Sequence, residues 1–202
     1  MKPQANSTQM SLGWNNFAFT NVKNFIFINK NIGIYMTPFL LSQLIAGVSF
    51  VLDVSAFHFS RKKTLLLLAL STFLLSIHFS LLSQPASAAL MLLAACRYVT
   101  AIFSTRQALC WMFLALSILC CLWVWQGPKD LFPLIGSLFV TYAAFQKHPS
   151  RMRIFTVLGS GFWVVNNILS ASPVATLMEL AFLSSTLLSY FRNKRALAKE
   201  SL

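Results

Sequence analysis

Apolar residues fall into seven stretches along this chain, roughly 38–58, 64–83, 86–104, 109–126, 130–146, 153–170 and 173–191, separated by short polar gaps. Each stretch is about 17–21 residues long, enough for a helix rising 1.5 Å per residue to cross a hydrocarbon core of roughly 30 Å. The pattern predicts an all-α integral membrane protein with seven transmembrane helices. Connections of a few residues leave no room for a separate soluble domain. The chain therefore divides into an N-terminal tail, 1–35, a membrane domain, 36–192, and a basic tail, 193–202.

Basic residues occupy every second gap. Arg61, Lys62 and Lys63 follow the first stretch, Arg106 the third, Lys147, Arg151 and Arg153 the fifth, and Arg192, Lys194, Arg195 and Lys199 the seventh. The alternate gaps hold no Lys or Arg except Lys129, which sits beside Asp130. Lys and Arg are retained on the cytoplasmic side during insertion. The expected orientation is N-terminus outside and C-terminus cytoplasmic, in a bacterial inner membrane. Composition agrees: 57% of the 202 residues are hydrophobic and 10% charged, against about a quarter charged in a soluble domain. The net charge of +12 is explained by attraction of these clusters to anionic headgroups, so nucleic acid is not an expected partner.

The tail reads differently. Seven asparagines, Asn6, Asn15, Asn16, Asn21, Asn24, Asn29 and Asn31, lie in residues 1–35, and Lys30 breaks the short apolar run from Phe25 to Ile28. No apolar core of signal-peptide length follows Lys2. The tail is expected to be poorly ordered or to lie on the outer surface. The alternative is translation from Met36, immediately before the first stretch.

Stretches one to three can be laid over five to seven with an offset of 88–90 positions. Gly47 falls on Gly136, Ser60-Arg61-Lys62-Lys63 on Ser150-Arg151-Met152-Arg153, His78 on Asn166, and Pro85 on Pro173. Both copies begin on the same side because stretch four carries the chain back. The expected architecture is thus two parallel three-helix repeats joined by one linker helix (3+1+3), a layout known among transporters.

The chain resembles the YgjV family of bacterial inner-membrane proteins. Leu134-Ile135-Gly136, Arg151-Met152-Arg153, Trp163-Val164-Val165-Asn166-Asn167, Thr176-Leu177-Met178-Glu179, Ala95-Cys96-Arg97 and Gln43 carry the resemblance, which covers about 36–192. It implies a first span close to the initiator methionine, favouring Met36, and brings no established activity. The 3+1+3 layout is also similar to that of SWEET and PQ-loop sugar and amino-acid transporters. Trp163, Asn166 and Pro173 match the middle helix of that repeat, and Glu179 falls near its pocket-lining asparagine. Neither the first nor the fifth stretch carries the Pro-Gln pair, and the first repeat lacks the tryptophan.

Four titratable groups lie inside spans: Asp53, His78, Arg97 and Glu179. A charge at mid-span costs roughly 2.5–3.5 kcal/mol on insertion scales, so each needs a partner or water. Measured from the outer end, Asp53 is roughly 22 Å deep, Arg97 roughly 17 Å, Glu179 roughly 9 Å and His78 roughly 8 Å. Arg97 is placed to reach Asp53 within its repeat or Glu179 across the interface. His78 and Asn166 share the level of Glu179 and would complete a polar ring with Trp163.

The candidate substrate-binding or proton-path residues are therefore Glu179, Arg97, Trp163, Asn166, His78 and Asp53. The competing reading is a static Arg97–carboxylate pair that only locks helices. Gly136, Ser137, Gly159, Ser160 and Gly161 read as packing residues, and Trp111, Trp123 and Trp125 as an interfacial belt. Cys96, Cys110, Cys120 and Cys121 have no metal-ligand spacing. No catalytic triad, metal cluster or phosphate loop is present in the sequence, so neither an enzyme nor a cofactor is expected. The expected function is transport of a small polar solute; the alternative is a non-transporting structural or accessory membrane protein. The expected partners are the bilayer and the solute, with homo-oligomerisation left open.

Overall fold

The computed structural model describes residues 37–56, 58–104, 106–146 and 148–200. The tail 1–35, with the alternative start at Met36, lies outside the described residues, as do the side chains of 189–200 and their basic cluster. Seven α-helices follow one another: α1 (Pro38–Ala56), α2 (Arg61–Leu81), α3 (Pro85–Phe103), α4 (Gln107–Trp123), α5 (Leu131–Ala144), α6 (Pro149–Leu169) and α7 (Pro173–Glu200). A short 3-10 turn, Pro128–Asp130, leads into α5, and no strand occurs among the described residues.

The helices fall on the apolar stretches, their ends differing by a few residues, and two of those ends have a local cause. α5 is shorter than its stretch because Asp130 turns the chain there: its Oδ2 accepts from the backbone N–H of Gln126 at 2.7 Å and of Gly127 at 3.3 Å. α7 runs past the apolar segment, which ends at Leu188, because Arg, Lys, Ala, Leu and Glu are all good helix formers. Four helices are long and apolar enough to cross a membrane, over Pro38–Ala56, Lys62–Leu81, Pro85–Phe103 and Ser150–Leu169. Gln107–Trp123 and Pro173–Leu188 are shorter apolar helices.

Proline sets several starts. Pro85 and Pro149 stand in the first turns of α3 and α6, and Pro173 opens α7, positions where a missing N–H costs no helical hydrogen bond. The turns before α3 and α7 are alike bond for bond. Ser83 N–H donates to Ser80 O and Gln84 N–H to Phe79 O; Ala171 N–H donates to Ile168 O and Ser172 N–H to Asn167 O. Both turns are Schellman closures. Their left-handed positions, Ser83 at φ 56° and Ala171 at φ 50°, are filled without glycine, at a steric cost of about 1–2 kcal/mol each.

α1 packs on α2 and α2 on α3; α5 packs on α6 and α6 on α7. α4 touches α3 and α5, while α3–α5 and α1–α7 contacts join the two groups. Small residues set the closest approaches. Between α1 and α2, Ser49 Oγ donates to Ser71 O at 2.7 Å. Between α5 and α6, a Cβ on Gly159 would fall 2.6 Å from Val140 Cγ2 and 2.9 Å from Gly136 O, so the two glycines fit backbone against backbone as small residues do in membrane helix pairs. Gly47 and Gly161 face open space. Cys110 and Cys121 are buried, Cys96 is exposed, and all four thiols are free. Trp111, Trp123 and Trp125 are exposed around the ends of α4, where an interfacial belt stands.

Candidate functional site

A cavity of about 390 Å³ lies inside the bundle, and all seven helices contribute to its wall. Asp53 comes from the last turn of α1, Thr72 from α2, Arg97 and Tyr98 from α3, Ser117 from α4, Thr141 from α5, Ser160 and Trp163 from α6, and Glu179 from α7. Most of the wall is apolar, as in ligand pockets generally, with a few convergent polar groups.

Toward the turns before α3 and α7, the wall is closed by Leu75, Leu90, Trp163 and Met178, all buried. Trp163 packs on Phe79 with ring centroids 5.8 Å apart, and its indole rests where a side chain on Gly136 would stand. In the other direction the cavity extends to Asp53, Val54 and Ser185, near the end of the bundle where the basic gaps lie.

The charged groups in this wall are not paired with one another. Arg97 is 5% exposed. Its Nη1 donates to Thr141 Oγ1, tying α3 to α5, and its Cζ lies 5.2 Å from the Tyr98 ring centroid. Arg97 Nε has no partner, and neither has Asp53 Oδ1. Asp53 and Glu179 are half-buried and close enough to interact electrostatically. The expected Arg97–Asp53 and Arg97–Glu179 ion pairs are absent among the described residues: a hydroxyl one helix away takes the guanidinium instead.

Four of the six sequence candidates, Asp53, Arg97, Trp163 and Glu179, thus line one cavity. His78 and Asn166 do not. His78 is fully buried beyond the apolar layer, with Nδ1 2.8 Å from Ser42 O and Nε2 3.1 Å from Ser172 Oγ. A carbonyl only accepts, so Nδ1 carries the proton. Asn166 Oδ1 accepts from Ser87 Oγ at 3.2 Å. Gln43 belongs to the same cluster: its Oε1 accepts from Val174 N–H at 3.2 Å and lies 3.4 Å from Ser172 Oγ, whose one proton goes to His78 Nε2. A side chain of α1 therefore caps the start of α7, which gives that glutamine a structural reason.

Sequence reasoning did not single out Thr141, Tyr98 and Ser185, and it treated Ser160 as packing. One signal could have found three of them. Thr141 stands 88 positions after Asp53, Ser160 88 after Thr72, and Ser185 88 after Arg97.

Fold and cavity define a polytopic helical membrane protein with a largely apolar internal cavity carrying a few charged and polar groups. The chain belongs to the Imp-YgjV family of bacterial inner membrane proteins, whose profile matches residues 40–196. It is similar to the inner membrane protein YgjV of Escherichia coli, 27% identical over 154 residues that cover 73% of this chain and 81% of that protein. No solved structure matches it. It is thus a multi-pass protein of the bacterial inner membrane.

Proposed function

We propose that the chain is a carrier for a small polar solute, built as two parallel three-helix repeats around the cavity, with α4 as linker. The observation that carries this reading is how the wall is composed. Residues 88 positions apart face the same cavity from the two halves: Asp53 with Thr141, Thr72 with Ser160, Leu75 with Trp163, Leu90 with Met178, Met91 with Glu179, and Arg97 with Ser185. A rotation axis along the membrane normal, running through the cavity, accounts for these pairings and for the matched turns. It also makes the α3–α5 and α1–α7 contacts equivalent. Solute sites at repeat interfaces are a recurring transporter design, with rocking of one repeat against the other giving alternating access.

The basic gaps support seven crossings with the N-terminus outside and the C-terminus cytoplasmic. In that orientation the apolar layer and the His78 cluster lie on the outer side of the site, and the cavity extends toward the cytoplasm. Glu179 and Asp53 are the groups available for coupling to protons.

One observation favours the accessory reading: Arg97 bonded to Thr141 also serves as a lock between α3 and α5. A thermal-shift screen of detergent-purified protein against sugars, amino acids and related solutes separates the two. A ligand that binds the folded state raises the melting temperature by mass action. The carrier reading expects a shift that disappears in a folded Glu179→Gln variant. No shift across the panel, with a variant that melts like the wild type, favours the lock.

A further inference from the structure

Resting on the carrier reading, we infer that the cavity takes a zwitterion, a small solute whose carboxylate lies on Arg97 and whose ammonium group lies between Asp53 and Glu179. Two opposite charges line one buried cavity and do not meet. Arg97 is 5% exposed; its guanidinium donates only to a neutral hydroxyl and lies near the Tyr98 ring, with Nε unpartnered. An unpaired buried cation carries a desolvation penalty that an anionic group relieves. On the other side, Asp53 has an unpartnered buried oxygen, and the neighbouring charge on Glu179 repels it rather than balancing it. A cationic group between the two carboxylates answers both.

The repeat register sets these groups on opposite walls. Arg97 is bonded to Thr141 across the α3–α5 contact. The residues 88 positions away, Ser185 and Asp53, face the same cavity from α7 and α1, which are themselves in contact. The cationic wall and the anionic wall are therefore related by the axis, and a ligand between them meets one with each end. Ser160 Oγ, buried beside the Glu179 carboxylate, lines the cavity as a further polar group.

Other ligand classes leave charge stranded. A neutral sugar offers Arg97 and the carboxylates hydroxyls but no opposite charge, a simple anion answers Arg97 alone, and a simple cation answers the carboxylates alone. Leaving a buried charged partner unmatched costs more than any neutral hydrogen bond returns.

The test uses wild-type protein and blocked ligands. Melting temperature is measured in detergent against zwitterionic amino acids from glycine to leucine, their carboxamides, their N-acetyl derivatives, and glucose. The expected result is a shift with a zwitterion and binding at least about tenfold weaker for both of its blocked forms, the loss of one charged contact at each end. In a folded Asp53→Asn variant, discrimination between the zwitterion and its N-acetyl form should fall toward unity. A shift with glucose alone, or equal shifts with zwitterion and blocked forms, overturns the zwitterion assignment and leaves the carrier standing. No shift with any compound overturns the carrier reading itself.

Discussion

Two buried polar clusters sit on largely the same helices, a turn or two apart, and differ in how they are satisfied. Around His78, groups from α1, α2 and the α6–α7 turn bond one another: the imidazole bridges Ser42 and Ser172, and Gln43 holds the start of α7. Around the cavity, Arg97 and Asp53 each keep a buried polar atom without a partner, beside a volume of about 390 Å³. Burial and polarity are common to both. What separates them is charge and space. Around the cavity the unpartnered groups are charged and face an open volume, whereas near the His78 cluster only the neutral amides of Asn166 and Asn167 keep an unpartnered atom. An uncompleted charged group in low dielectric is the costlier of the two.

The comparison breaks first at His78. His78→Ala removes both bridges and opens a hole in a filled cluster, and should cost about 3 kcal/mol in a thermal or denaturant unfolding measurement. A variant that melts like the wild type would mean the cluster is not the lock described. Gly159→Ala tests the tight α5–α6 contact behind Trp163; overpacking there should destabilise by about 1–3 kcal/mol by the same measurement. Gln43→Ala removes the cap on α7 and should cost about 1 kcal/mol. Ala171→Gly relieves the left-handed strain of the turn and should stabilise by about 0.5 kcal/mol, net of glycine's extra chain entropy. The smallest change in stability belongs to the cavity: Glu179→Gln should leave the melting temperature near that of the wild type while abolishing the ligand-induced shift. Loss of folded protein in that variant would move Glu179 into the same category as His78.

Much of the fold was legible from local signals. Hydropathy located all seven helices, and Pro85, Pro149 and Pro173 marked three starts. Ser83 and Ala171 were not legible as left-handed positions, because the usual glycine is missing and only the completed turn holds them there. The level of each candidate was only roughly readable from helical rise: His78 was expected beside Glu179, but it lies about one turn beyond Leu75 on the same face of α2, so Leu75 lines the cavity and His78 lies beyond the apolar layer.

The sequence by itself determined a helical membrane protein, its helix order and its basic gaps, because hydropathy, proline geometry and helical rise act within a few residues of chain. Only the tertiary structure decided that Asp53, Arg97, Trp163 and Glu179 share one cavity, that Arg97 bonds to Thr141 rather than to a carboxylate, and that His78 and Asn166 lie outside that cavity. Those outcomes depend on how each helix is rotated about its axis and which neighbour it packs against, and these are fixed by close approaches such as Ser49 on Ser71 and Gly136 on Gly159.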